Sequence, residues 1–158
     1  MKENNLSLTV IDKSDKSCLY SISFNDDNQS EFDKFLLKFK DNAVYNDSFN
    51  SIIKVLSHML EVGVKERYFR NEGGNIKALG LDSKKLRLYC LRISDQILIV
   101  GNGGIKNTRT YQEDDELNGY VMNLKAFNKM LNDAIKKGLV TIEGTTITSI
   151  TTDTFKIT

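Results

Sequence analysis

Proline is absent from the 158 residues, histidine occurs once and cysteine twice. Without proline, turns fall to Gly, Asn, Asp and Ser. With His58 as the only histidine, a Ser-His-Asp device has little to draw on, and no nucleophile elbow is present. Cys18 and Cys90 are too far apart in sequence to form a metal motif or a disulfide framework. They read as free thiols of a cytoplasmic protein. Both fall in predicted strands, where burial makes a thiol inert. Long apolar runs are also missing: Ile97 to Val100 is typical, and it is far too short to span a bilayer. Met1 to Asn5 is polar with no apolar h-region behind it, so no signal peptide is expected. Finally, charge of one sign is lacking. The 22 Lys+Arg and 21 Asp+Glu leave a formal net charge of +1, which excludes a uniformly cationic nucleic-acid coat.

What is present fits one ordinary domain over 1–158, with 40% apolar and 27% charged residues, a globular composition able to bury a core. Leu6 to Ile11 and Cys18 to Phe24, separated by a polar turn, predict a strand hairpin. Phe32, Phe35, Leu36 and Phe39, then Phe49, Ile52, Ile53, Leu56, Met59 and Leu60, carry the helical spacing of two amphipathic helices. Asp47 or Ser48 is placed to cap the second, and Gly63 to end it. Strand-like runs follow at Ile76 to Leu81, Leu86 to Ile93 and Gln96 to Val100, the last apolar throughout as for a strand covered on both faces. Glu113 to Glu116 is an acidic start suited to the dipole of a helix that Gly138 closes. Leu139 to Thr158 reads as two short strands that pair with the N-terminal hairpin. The expected class is α+β: an N-terminal strand hairpin, a two-helix hairpin on an antiparallel sheet of three to four strands, a C-terminal helix, and extra short strands. The core spans about 18–135, and 139–158 form a strand-rich extension.

The +1 conceals an asymmetry. Residues 65–109 hold ten basic and four acidic side chains, +6, and the remainder holds twelve and seventeen, −5. Arginine clamps phosphate bidentately, and a sheet face carrying Arg, Lys and Tyr can seat an RNA backbone. The plain alternative is that these arginines pair with acidic neighbours. Along the second of the three strands, Leu86, Leu88, Cys90 and Arg92 share one face and Arg87, Tyr89, Leu91 and Ile93 the other, so neither is a clean core face. An arginine in such a strand needs an anion or a buried carboxylate. Gly101-x-Gly103-Gly104 lacks the Gly-Lys-Ser/Thr ending of a phosphate loop and reads as a bend or bulge. The acid run at 113–116 is too short for a calcium loop.

Strand, two helices, then three antiparallel strands ending in a basic segment is an order that resembles the RelE/HigB superfamily of bacterial toxin–antitoxin systems. The residues that carry the resemblance are Leu86-Arg87-Leu88-Tyr89-Cys90-Leu91-Arg92-Ile93, a turn, and Gln96 through Gly104 into Ile105-Lys106-Asn107-Thr108-Arg109-Thr110. The resemblance implies a small ribosome-dependent mRNA endonuclease (an mRNA interferase). Its chemistry would be attack of an RNA 2′-hydroxyl on its own 3′-phosphate, with a base, cations and an acid and no metal or cofactor. Carried over, Arg87 matches the strand arginine that contacts the scissile phosphate. Lys106 and Arg109 match the basic segment, and Tyr111 falls where members place an aromatic or catalytic tyrosine. Arg70, Lys84, Lys85 and Arg92 complete the RNA-binding set. The implied partners are mRNA on the ribosome, an antitoxin protein and a second copy in a homodimer.

This chain departs from the family pattern. RelE-type sites cluster lysines on the central strands, where this chain offers only Lys84 and Lys85 ahead of the strand. HigB-type sites use histidines, and His58 is predicted on a helix surface. Three readings follow: a toxin-class endonuclease, a non-catalytic protein of that fold binding RNA or a protein, and an interaction protein whose arginines form ordinary ion pairs.

Overall fold

The polar turn between the first two apolar runs does more than reverse the chain. In the computed structural model, which describes residues 6–24, 27–80, 85–149 and the backbone of 156–157, β1 (Leu6–Lys13) and β2 (Cys18–Phe24) pair antiparallel, with an extra β1 residue between Val10 and Asp12. In the turn, Ser14 Oγ donates to Leu60 O at 2.6 Å and Ser17 Oγ to Met59 O at 2.9 Å. These carbonyls lie in the last turn of the second helix, where Met59 O also accepts from Gly63 N–H at 2.8 Å, while Val64 N–H turns to Asp95 O and leaves Leu60 O to Ser14.

Helix α1 (Glu31–Phe39) starts on a reciprocal cap: Asp33 N–H donates to Ser30 Oγ, and Ser30 N–H to Asp33 Oδ2. Helix α2 (Asn46–Val62) follows. Contrary to the sequence expectation, neither Asp47 nor Ser48 caps it. Tyr45 occupies that position without a side-chain bond, because the helix begins at Asn46, three residues before Phe49 opens the apolar pattern. The two helices share one face of the sheet and meet through Phe35 and Phe49, whose ring centroids are 5.9 Å apart.

The sheet runs β3 (Arg70–Asn71), β4 (Ile76–Leu79), β5 (Leu86–Arg92), β6 (Ile97–Ile105), β2, β1 and β9 (Lys156–Ile157). The expected sheet of three to four strands is thus corrected to seven. The cause is a parallel pairing of β2 with β6, which joins the N-terminal hairpin to the β4–β5–β6 meander. Arg70-Asn71 is a short outer strand. Leu81, the expected end of the first meander strand, lies outside the described residues.

Both faces of β2, β5 and β6 are covered. Leu19, Leu88, Cys90, Leu98 and Val100 meet α1 and α2, whereas Tyr20, Ile22, Tyr89, Leu91, Ile97 and Ile99 meet α3 (Asp115–Lys136). Burial on both sides explains the mixed alternation of β5. Asp114 caps α3 by accepting from Leu117 N–H at 3.0 Å. Gly138, at φ 75, ends it, with its N–H on Ile135 O and Leu139 N–H on Ala134 O.

The tail differs from expectation. β7 (Val140–Glu143) and β8 (Thr146–Ser149) pair with each other as a separate ribbon, because their apolar residues Val140 and Ile147 pack under α3. Among the described residues of the tail, only β9 joins the N-terminal hairpin, parallel to β1. The ribbon is tied to that hairpin by Tyr20, whose hydroxyl donates to Thr145 O and accepts from Ile147 N–H, both at 3.1 Å. No helix among the described residues is long and apolar enough to cross a membrane.

Candidate functional site

The glycine stretch shapes the region around Arg87. Between the pairs Leu88–Gly103 and Cys90–Val100, β6 has one residue more than β5, so the expected bulge lies at Gly101-Asn102. A side chain at Gly103 would meet Arg87 O at 1.9 Å. The backbones approach too closely there for any residue but glycine. Asn102 turns inward, its Oδ1 accepting from Gly103 N–H at 2.7 Å.

Arg87 pairs with Gly104 near the far end of β5 and is 9% exposed. Its Nη1 donates to Leu86 O at 3.0 Å. Tyr89, next on that face, is fully buried, and among the described residues its hydroxyl has no hydrogen-bond partner. Its ring meets the edge of Tyr111 at 5.9 Å. Burial is the main reason that the Tyr89 phenol is pushed well above its ordinary pKa. Nearby Glu72, Asp114 and Tyr111 push the same way, and Arg87 opposes them. An unsatisfied buried hydroxyl costs about 1–3 kcal/mol. Tyr89→Phe is expected to leave the melting temperature unchanged or raise it; a fall of several degrees would contradict the hydroxyl's isolation.

Lys85 and Lys106 join Arg87 at this strand end. Lys106 N–H donates to Lys85 O at 2.8 Å, and alternation from Leu86 and Ile105, which belong to the α2-side core, puts both lysines on the Arg87 side. Arg109 follows in the exposed loop. Among the described residues, neither Lys85, Lys106 nor Arg109 forms a salt bridge. Tyr111 starts a short 3-10 turn, Tyr111–Glu113, and is only 4% exposed. Lys84 lies outside the described residues.

The other predicted residues are elsewhere and engaged. Arg92 is five residues along β5 from Arg87, about 17 Å at strand rise. Its Nε donates to Val64 O at 2.9 Å, and its other nitrogens contact Asp95 and Glu66. Glu66 also holds Lys77, at 3.4 Å. Arg70 is exposed on β3, 4.0 Å from Glu72. His58 is exposed on α2, its ring against Tyr68 at 5.7 Å. Cys18 and Cys90 are buried, free and on opposite sheet faces, and burial raises both thiol pKa values. No group of three His, Cys, Asp or Glu residues among the described ones is arranged for a metal ion.

Two polar residues that sequence reasoning missed also meet beside Gly103. Lys38 of α1 and Tyr120 of α3 are 82 positions apart. Each sits on an amphipathic helix whose polar side reads as solvent-facing.

No family model matches the chain, and comparison with curated proteins and with solved structures finds no match.

Proposed function

We propose that the chain is a toxin-like, RNA-binding protein of the RelE/HigB kind, a metal-independent mRNA endonuclease acting at the ribosome and covered by an antitoxin. The observation that carries this reading is the basic strand end. Lys85, Lys106 and Arg109 gather beside Arg87 with no carboxylate within salt-bridge distance of the first three among the described residues. Cations grouped without acidic partners are poised to take phosphates, whose binding releases counterions. The order β2, α1, α2, then, after the two-residue β3, the antiparallel β4, β5 and β6 supports it too, being close to the order of elements on which the resemblance rests. Arg87 and Arg109 hold phosphate in this reading, and Lys106 assists.

One observation favours binding without cutting. Tyr111, the tyrosine matched to the family's catalytic position, is packed on Tyr89 and is 4% exposed, a poor setting for proton exchange with a nucleotide.

Affinity for a single-stranded RNA measured against salt concentration tests the interface. The exposed triple variant Lys85→Ala, Lys106→Ala, Arg109→Ala is expected to bind more weakly and to flatten the slope of log affinity against log salt by about 2. Arg92→Ala is expected to leave the slope alone. An unchanged slope in the triple variant would remove the interface.

A further inference from the structure

On the reading just given, we propose that Tyr120 is the proton-donating residue of the RNA site and that Lys38 is its positioning residue. Lys38 Nζ donates to the Tyr120 hydroxyl and to Gly103 O, each at 2.8 Å, and lies 4.8 Å from the Tyr120 ring centroid. The phenol oxygen accepts from Lys38, which leaves its own O–H free to donate outward. Unlike Tyr111, Tyr120 is partly exposed.

Its place in the fold fits the role. β2 and β6 are parallel neighbours. From β2 the chain passes to α1 on one face, and from β6 to α3 on the other. Ligands of open sheets bind at the carboxyl ends of strands where such connections diverge. Lys38 and Tyr120 reach around this point from opposite layers. Gly103 and Gly104 then separate them from Arg87, which pairs with Gly104. Glu116, one turn before Tyr120, has Oε1 3.4 Å from the position of a Gly104 Cβ.

The groups facing Tyr120 are Lys38, Lys34 and Glu31 from α1 and Glu116 and Asp114 from the start of α3. Burial first, then Glu116 and Glu31, push its pKa up to about 12, so the phenol keeps its proton at neutral pH. In the reaction, the RNA 2′-oxygen bonds to phosphorus and its proton passes to water. The phosphorus–5′-oxygen bond breaks, its electron pair stays on the 5′-oxygen, and that oxygen takes the Tyr120 proton. Lys38 stabilises the phenolate until solvent reprotonates it.

A leaving sulfur needs no proton, so the test compares ribosome-bound mRNA carrying the ordinary 5′-oxygen with mRNA carrying sulfur there. Tyr120→Phe is expected to slow cleavage of the oxygen substrate about 100-fold and to cleave the sulfur substrate at the wild-type rate. Lys38→Met should follow the same pattern more weakly, and Lys38→Arg should restore part of the loss. Equal losses on both substrates, or no loss on either, would overturn Tyr120 as the acid while leaving the endonuclease reading intact. A wild-type protein that cleaves neither substrate would overturn both.

Discussion

Phe35→Ala is expected to destabilise the fold by about 3–5 kcal/mol, as complete removal of a core aromatic does. Phe35 is 0% exposed, and its ring lies 6.3 Å from Phe32, 5.2 Å from Phe39 and 5.9 Å from Phe49. It is therefore the common neighbour of three rings from two helices. Collapse around the vacated volume would have to move α1 and α2 together. Moreover, α1 is nine residues long, too short to persist without tertiary packing, so the helix depends on this ring. Urea denaturation followed by far-UV circular dichroism measures the loss. A shift below about 1 kcal/mol would mean that the rings are not the anchor of that layer. Because Lys38 lies on the same helix, the variant is also expected to loosen the Lys38–Tyr120 contact.

Gly103→Ala is expected to cost at least about 3 kcal/mol or to prevent folding. The added methyl would lie 1.9 Å from Arg87 O and 2.9 Å from Leu88 Cα. Both are backbone atoms of a central strand covered on both faces, with no free rotamer to yield. Gly104→Ala provides the contrast within the same strand. Its nearest contacts are side-chain atoms, Leu117 Cδ2 at 3.2 Å and Glu116 Oε1 at 3.4 Å, which shift by a few tenths of an ångström at small cost. Melting temperatures of the two variants should differ by about 6–12 degrees or more. Similar values would contradict the close backbone approach at the bulge.

Local physics was readable along the chain. The phenylalanines of α1 fix its buried face, and Ile97 to Val100 shows by its unbroken apolar run that both sides of β6 are covered. The glycines of β6 read correctly as a bulge because they lack the residues a phosphate loop needs. Unreadable features were those set by distant partners. The parallel β2–β6 pairing depends on hydrogen bonds between residues some 80 positions apart, and strand patterns carry no register for such pairs. The same holds for charge. Arg92 and Lys77 look like members of a phosphate-binding face, but Glu66, from a turn preceding β3, meets both. Of the basic residues in the +6 segment, Arg70, Lys77 and Arg92 are thus met by carboxylates, whereas Lys85, Lys106 and Arg109 form no salt bridge among the described residues. Tyr111 illustrates the converse: its position in the motif is informative, whereas its burial comes from Tyr89 on a strand two elements back. Lys38 and Tyr120 carry no mark in the sequence, since Lys38 lies beside an ordinary apolar stripe and Tyr120 falls within the apolar spacing of its helix.

Inducing the wild-type chain in growing bacteria while mapping mRNA 5′ ends tests the proposed function most directly. The predicted result is growth arrest, with new ends inside translated reading frames that fade when Arg87 is replaced by glutamine. Unimpeded growth with intact translated mRNAs would contradict it.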